Sequence, residues 1–240
     1  MAHFIYGKNV VRQRLLSNQK ILSLLISQKH PQPELIELAQ NRQVPIRYLK
    51  ETELKPYGDH HQGVIAEIED FKTLSLDELL KSIPETATLV VLDGLEDPHN
   101  LGAILRSADA SGVSGIIIPK HGSVSLNATV AKVSTGAIDT VPTCTVTNLT
   151  QTLETLKEKG FWIYGSEYTD QAQDYRSVAY GLKTCLVIGS EGHGISRLVL
   201  KHCDQVVKIP MVGAINSLNA SVSAALLMYE VMNQRFPLKK

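Results

Sequence analysis

The sequence predicts an α/β protein in two parts. A small N-terminal α/β module spans residues 1–70, a connector spans 71–87, and a larger parallel-sheet domain spans 88–240. Three observations carry this. Short runs rich in Val, Ile and Leu alternate with segments of helical spacing along the whole chain, which is the pattern of an α/β fold. In the second part the runs are apolar throughout, as in Thr88-Leu89-Val90-Val91-Leu92, which suits strands covered on both faces. Two of these runs end, near Ile188 and Ile209, in loops of glycine and small polar residues. In an open α/β sheet, ligands bind beyond the carboxyl ends of strands.

The elements follow in order. Phe4-Ile5-Tyr6-Gly7 opens the first module. Residues 8–16 read as a helix with Val10, Val11, Leu15 and Leu16 inward and Lys8, Arg12 and Arg14 outward. Strands are expected at 21–27, 44–49 and 64–68, with helices at 33–41 and 52–55. Residues 76–80 have helical spacing within the connector. The strand at 88–92 ends at Asp93-Gly94, a helix is expected at 103–111, and a strand at 116–118, together a βαβ unit. Asn100 falls at the helix start, where an amide can cap free N–H groups. Beyond it come a helix at 125–136, a strand at 140–146 broken by Pro142, a helix at 149–159 and a strand at 161–165. A polar loop at 170–175 leads to strand 182–188, helix 195–202, strand 205–209 and helix 220–233.

Composition narrows the partners. The 240 residues carry 24 Lys and Arg against 24 Asp and Glu, so no global positive field marks the chain for nucleic acid. RNA binding has to rest on a local patch, and Lys8, Arg12 and Arg14 are the candidate; the plainer reading of these three is a solvated helix face. Three cysteines, Cys144, Cys185 and Cys203, without C-x-x-C spacing fit a reducing cytoplasm better than a disulfide framework or a zinc site. His60 and His61 have no third ligand at metal spacing and read as loop surface. No run approaches the length that spans a bilayer, and no signal-peptide core follows Met1.

The chemistry concentrates in 186–230. Gly189-Ser190-Glu191-Gly192-His193-Gly194 follows one strand, and Gly213-Ala214-Ile215-Asn216-Ser217-Leu218-Asn219 follows the next. No phosphate-binding loop, dinucleotide fingerprint or G-x-S-x-G elbow is present. What remains is Asn100, Arg106, Glu191, Ser217 and Asn219. Hydrogen-bonding groups with one Arg and one carboxylate suit the positioning of a hydroxyl and a phosphate more than covalent catalysis. Arg106 stands in an otherwise small and apolar helix, which suggests a partner for its charge.

Three segments, Asp97 to Asp109 (DPHNLGAILRSAD), Ile188 to Ile195 (IGSEGHGI) and Ile209 to Ser221 (IPMVGAINSLNAS), resemble in order the motifs of the SpoU/TrmH branch of the SPOUT methyltransferases. The first module, with His61-Gln62-Gly63-Val64-Ile65-Ala66, resembles more loosely the ribosomal-protein-like substrate-binding domain of rRNA ribose methylases. The resemblance implies a deep trefoil knot in the C-terminal domain, although unknotted chains are the rule. It also implies a homodimer packed through the knot and S-adenosylmethionine held near Gly189, Ile209 and Leu218. Asn100, Arg106, Glu191, Ser217 and Asn219 would surround the site. The reaction implied is methyl transfer to a ribose 2′-hydroxyl of RNA, a guanosine of large-subunit rRNA in the members of closest layout. Asn216 departs from the serine that often precedes the Ser-Leu-Asn triplet. The alternatives are a tRNA methylase of the same branch, a non-catalytic RNA-binding or assembly protein of the same fold, and a general α/β ligand-binding protein.

Overall fold

The structure, a computed structural model, describes residues 3–17, 19–57 and 61–237. His60 lies outside them. The elements are β1 (His3–Tyr6), α1 (Lys8–Leu16), β2 (Ile21–Ser27), α2 (Pro33–Asn41), β3 (Ile46–Leu49), α3 (Glu51–Leu54) and β4 (Val64–Ile68). Next come α4 (Leu76–Ser82), β5 (Ala87–Asp93), α5 (Pro98–Ser111), β6 (Gly115–Pro119), α6 (Ala128–Ser134), α7 (Ala137–Thr140) and β7 (Thr143–Val146). The chain closes with α8 (Leu149–Glu158), β8 (Trp162–Ser166), β9 (Gln173–Asp174), β10 (Lys183–Gly189), α9 (Arg197–Lys201), β11 (Gln205–Lys208) and α10 (Ala220–Arg235).

The chain forms two compact units. One comprises residues 1–72 together with 126–140, the other 73–125 and 141–240. Residues 126–140, which the sequence reading places in the second domain, group with the first unit. Two contacts explain the grouping. The expected single helix at 125–136 breaks at Thr135 and Gly136, both at positive φ, and a Cβ at Gly136 would lie 2.2 Å from the side chain of Gln13 on α1. Only glycine permits that approach. Arg14 of α1 is then buried and hydrogen-bonds Asp139 of α7 at 2.5 Å.

This corrects the outward reading of Arg14. It stands four residues from Val10 and so shares the helix's inward face; with its side chain 6% exposed and that of Asp139 8%, it is closed to any ligand. Burial lowers the guanidinium pKa and raises that of the carboxyl, against the attraction of the pair itself. Because guanidinium holds its proton in proteins, the pair remains ionic. Removing one partner of such a pair strands a buried charge and costs about 3–5 kcal/mol. Asp139→Ala is therefore expected to lower the unfolding free energy by that amount in denaturant titration, whereas Arg14→Met with Asp139→Leu should recover most of it. An unchanged midpoint for the single substitution would refute the pair's role.

In the first unit the four-stranded sheet has the order β1-β4-β2-β3. β4 runs antiparallel to β1 and β2, and β3 runs parallel to β2. In the second unit seven strands have the order β7-β6-β5-β10-β8-β11-β9, and every pairing is parallel. Its central strands are buried end to end: Leu89 to Leu92 and Cys185 to Val187 are wholly inaccessible, as their unbroken apolar runs require. β9, in the stretch read as polar loop, adds a short edge strand that no apolar pattern announces. At the other end of the unit, the Arg235 guanidinium donates to Thr88 Oγ1 and to the carbonyls of Ala87, Gly181 and Leu182. This anchors the end of α10 to the amino ends of β5 and β10.

Candidate active site

The site forms where β8, β10 and β11 end. A cavity of about 370 Å³ is lined there by Ser166, Glu167, Tyr168, Gly189, Lys208 and Ile209, and also by Glu191, Met211, Ser217 and Leu218. A second cavity of about 310 Å³, lined by Glu96, Asn100, Ser190, Glu191 and His193 among others, shares Ser190 and Glu191 with it. Both open at the carboxyl ends of parallel strands, as the fold dictates.

The loop that carries Glu191 is closed tightly. Ser190 N–H donates to the Gly194 carbonyl at 3.1 Å and Gly194 N–H to the Ser190 carbonyl at 2.9 Å. A Cβ on Gly189 would lie 2.0 Å from the Gly194 carbonyl carbon, so the absence of a side chain is what allows the closure. Carboxylates from the strands on either side of β10 hold the loop's exit. Glu167, just after β8, accepts from Ile195 N–H at 2.9 Å, and Asp93, at the end of β5, accepts from Ser196 N–H at 2.7 Å. Neither residue stands out in the sequence. The available signal was that each is a carboxylate at the carboxyl end of a strand.

Three side chains far apart in sequence meet at Glu191. Asn100 Nδ2 donates to Glu191 Oε1 at 2.7 Å, Asn219 Nδ2 donates to Asn100 Oδ1 at 3.0 Å, and Asn219 Nδ2 also donates to Glu191 Oε1. The orientation of the Asn219 amide is fixed by α10, whose first turn it caps. Its Oδ1 accepts from Ser221 N–H at 2.9 Å, which turns Nδ2 toward the carboxylate. Asn100 is not the cap of α5. That helix starts five residues earlier than expected, at Pro98, and Asp97 caps it by accepting from His99 N–H at 2.8 Å. Asn100 is thereby released to face Glu191, and it is 5% exposed.

The expected residues thus fall into groups. Asn100, Glu191 and Asn219 form one hydrogen-bonded network, while Gly189, Ile209, Ser217 and Leu218 line the larger cavity. Asn216, the departure from the motif, lines it too. Arg106 lines neither cavity; it is exposed on α5, and among the described residues it forms no ion pair or hydrogen bond. In the first unit, Lys8 is exposed, Arg12 is paired with Glu34, and Arg14 is buried as described. The Lys8/Arg12/Arg14 cluster is therefore not a free basic patch. Lys208, missed in the sequence, places an ammonium in the cavity wall, donating to the Thr169 carbonyl at 3.1 Å and lying 5.6 Å from the Tyr168 ring centroid.

Comparison with known proteins matches this chain twice. The model of the SpoU rRNA methylase family matches residues 87–229, and that of the RNA 2′-O ribose methyltransferase substrate-binding domain matches residues 4–74. A protein of Staphylococcus saprophyticus named for the TrmH family of tRNA/rRNA methyltransferases is 46% identical over 238 residues, covering 96% of this chain and 95% of its own. The crystal structure of the SpoU methyltransferase AviRb from Streptomyces viridochromogenes, solved with AdoMet, has the same fold. It superposes with a TM-score of 0.86 at 24% identity, over 98% of this chain and 91% of its own. A TrmH/SpoU tRNA modifying enzyme of A. aeolicus superposes with a TM-score of 0.59 at 30% identity, over 67% of this chain and 81% of its own.

Proposed function

The chain belongs to the SpoU rRNA methylase family, and we propose that it transfers a methyl group from S-adenosylmethionine to a ribose 2′-hydroxyl of RNA, in particular a guanosine of large-subunit rRNA. The observation that carries this reading is the cavity at the ends of β8, β10 and β11 with the Asn100–Glu191–Asn219 network beside it. Its volume, about 370 Å³, lies in the range of small-molecule sites. Backbone at Gly189, Ile209 and Leu218 would hold the cofactor, and the carboxylates of Glu167 and Glu191 suit a positive sulfonium. When bound, the cofactor supplies an electrophilic methyl group.

The remaining work falls to side chains. The second cavity adjoins the first across Ser190 and Glu191, so a ribose placed in it faces the methyl donor. Both amides bond to Oε1 of Glu191, which leaves Oε2 to take the hydroxyl proton, while Ser217 offers a hydroxyl at the cavity wall. Arg106 keeps its proton. It binds a phosphate beside the target ribose and lowers the proton affinity of the 2′-oxygen electrostatically.

The preference for rRNA is supported by the N-terminal unit, which matches a substrate-binding domain, whereas the match to the A. aeolicus tRNA modifying enzyme extends over only 67% of this chain. The guanosine assignment rests on resemblance of layout to the large-subunit rRNA methylases. Sheet order favours a knot: β10 and β8 separate β11 from β5, yet Asn219 reaches Asn100 on α5. Residues 209–219 must therefore pass the ends of both strands, where the 190–196 loop closes. A homodimer through this region is favoured by α10, which exposes Val222, Leu226 and Tyr229 at the i, i+4, i+7 spacing of one face. The wild type is expected to run as a dimer in light scattering and Leu226→Glu as a monomer; a monomeric wild type would contradict this.

Among the described residues no helix is long and apolar enough to cross a membrane, and no group of His, Cys, Asp and Glu could hold a metal; we place the protein in the cytoplasm. The deciding experiment offers unmethylated large-subunit rRNA and bulk tRNA with methyl-labelled S-adenosylmethionine. Label at one guanosine of the rRNA is expected. Label in tRNA alone would overturn the substrate assignment while keeping the reaction.

A further inference from the structure

The two ends of the four-stranded sheet treat their charges differently. At the end where β1 and β2 begin and β4 finishes, basic groups stand beside carboxylates: His3 lies 3.4 Å from Asp70, Lys20 2.5 Å from Glu69, and the exposed Lys72 near enough to Glu69 to help hold its carboxyl below the usual range. On the helices Arg12 is held by Glu34, and Arg42 donates to the carbonyls of Arg14, Leu15 and Gln19. At the opposite end the registers Tyr6↔Ile65, Ile26↔Val64 and Ser27↔Leu49 bring together the carboxyl ends of β1, β2 and β3 and the start of β4. The loops there are tied to one another. Lys8 N–H donates to Gln62 Oε1 at 2.9 Å, Gln32 Nε2 to the Gln62 carbonyl at 3.4 Å, and Gln28 N–H to the Leu49 carbonyl at 2.9 Å. Ser27 Oγ accepts from Lys29 N–H at 3.1 Å and His30 N–H at 3.2 Å.

These ordered loops expose Lys8, Lys29, His30 and Lys50, and among the described residues none of the four forms an ion pair. Lys132 of α6 lies 5.5 Å from the ring centroid of Tyr6, at the end of β1. The nearby carboxylates keep their charge but are turned to neutral donors rather than to these cations: Glu51 accepts from the Ser27 hydroxyl, and Glu53 from Lys50 N–H at 2.8 Å. Free ammonium groups on a preorganised rim are what a phosphate backbone selects.

We infer that this end of the sheet, through Lys8, Lys29, His30, Lys50 and Lys132, is the surface on which the first unit docks RNA phosphates. The inference rests on the RNA reading above and replaces the helix cluster, whose arginines are engaged elsewhere. Two charge-matched full-length variants test it, Lys29→Glu/Lys50→Glu and, at the opposite end, Lys20→Glu/Lys72→Glu. Binding of large-subunit rRNA and of tRNA is measured by anisotropy across a salt series, with melting temperature and S-adenosylmethionine affinity as controls. The first variant is expected to weaken binding at least about tenfold at low salt. Its dependence of log K on log salt should fall by roughly 1.5, since each lost phosphate contact removes about 0.7–0.9. The second variant should stay within about twofold, with both controls unmoved. Equal losses in the two variants, or none in the first, would overturn the surface while leaving methyl transfer standing. A wild type that binds the cofactor but no RNA would overturn both. Should the first variant melt early, Lys29→Gln/Lys50→Gln carries the same test.

Discussion

Arg106→Ala is expected to leave S-adenosylmethionine affinity within about twofold and to cut methyl transfer by at least 10²–10³-fold, the typical loss when one preorganised donor to developing charge is removed. Arg106 lines neither cavity and, among the described residues, pairs with no carboxylate, so its removal takes nothing from these contacts or from the cofactor's walls. It is nonetheless a cation on α5, the helix that supplies Asn100 to the Glu191 network. On the proposed mechanism it meets a group that arrives with the substrate, and a phosphate beside the ribose is the matching anion. Arg106→Lys should recover only part of the rate, because a point charge replaces a planar fork. Isothermal titration and single-turnover transfer separate the two readouts. Normal transfer by Arg106→Ala would remove this residue from the mechanism.

Gly189→Ala should act in the opposite way, through the cofactor. The new Cβ would fall 2.0 Å from the Gly194 carbonyl carbon and 2.3 Å from Ile195 N. Both are backbone atoms, so no rotamer can relieve the overlap. The Ser190–Gly194 closure has to open, and Glu191 moves with it. Overpacking costs about 1–3 kcal/mol, occasionally more, and at the upper figure cofactor affinity falls roughly 100-fold. Gly192→Ala is the control, since nothing lies within 4 Å of a Cβ there. Equal cofactor affinity in the two variants would contradict the proposed role of the loop.

Gly189 and Arg106 also mark how far the sequence could be read. The glycine-rich loop, the Ser-Leu-Asn segment and the strand ends announce themselves by composition, but composition does not say that Asn100, Glu191 and Asn219 lie within bonding distance, which only the fold brings about. Arg14 was misread because helical spacing fixes a face but not which buried position can hold a charge; that depended on Asp139, 125 residues away. Asn100 reads as a cap only if the helix starts after it; Pro98 is the first helical residue instead, a place proline fills readily. Glu167 and Asp93 were invisible for a different reason. Each acts through backbone N–H groups of another segment, and no side-chain pattern records that pairing. The grouping of 126–140 with the first unit likewise depends on one glycine contact and one ion pair across long separations.

The position of the transferred methyl group separates ribose from base chemistry. RNA treated with the protein and labelled S-adenosylmethionine can be digested with alkali, which needs a free 2′-hydroxyl to cut the chain. The proposed chemistry predicts that the label survives in an alkali-stable dinucleotide, and that Asn219→Ala, which removes two of the bonds at Glu191 and Asn100, lowers its yield. Label recovered instead in mononucleotides would place the methyl on a base and contradict the assignment of the second cavity to ribose.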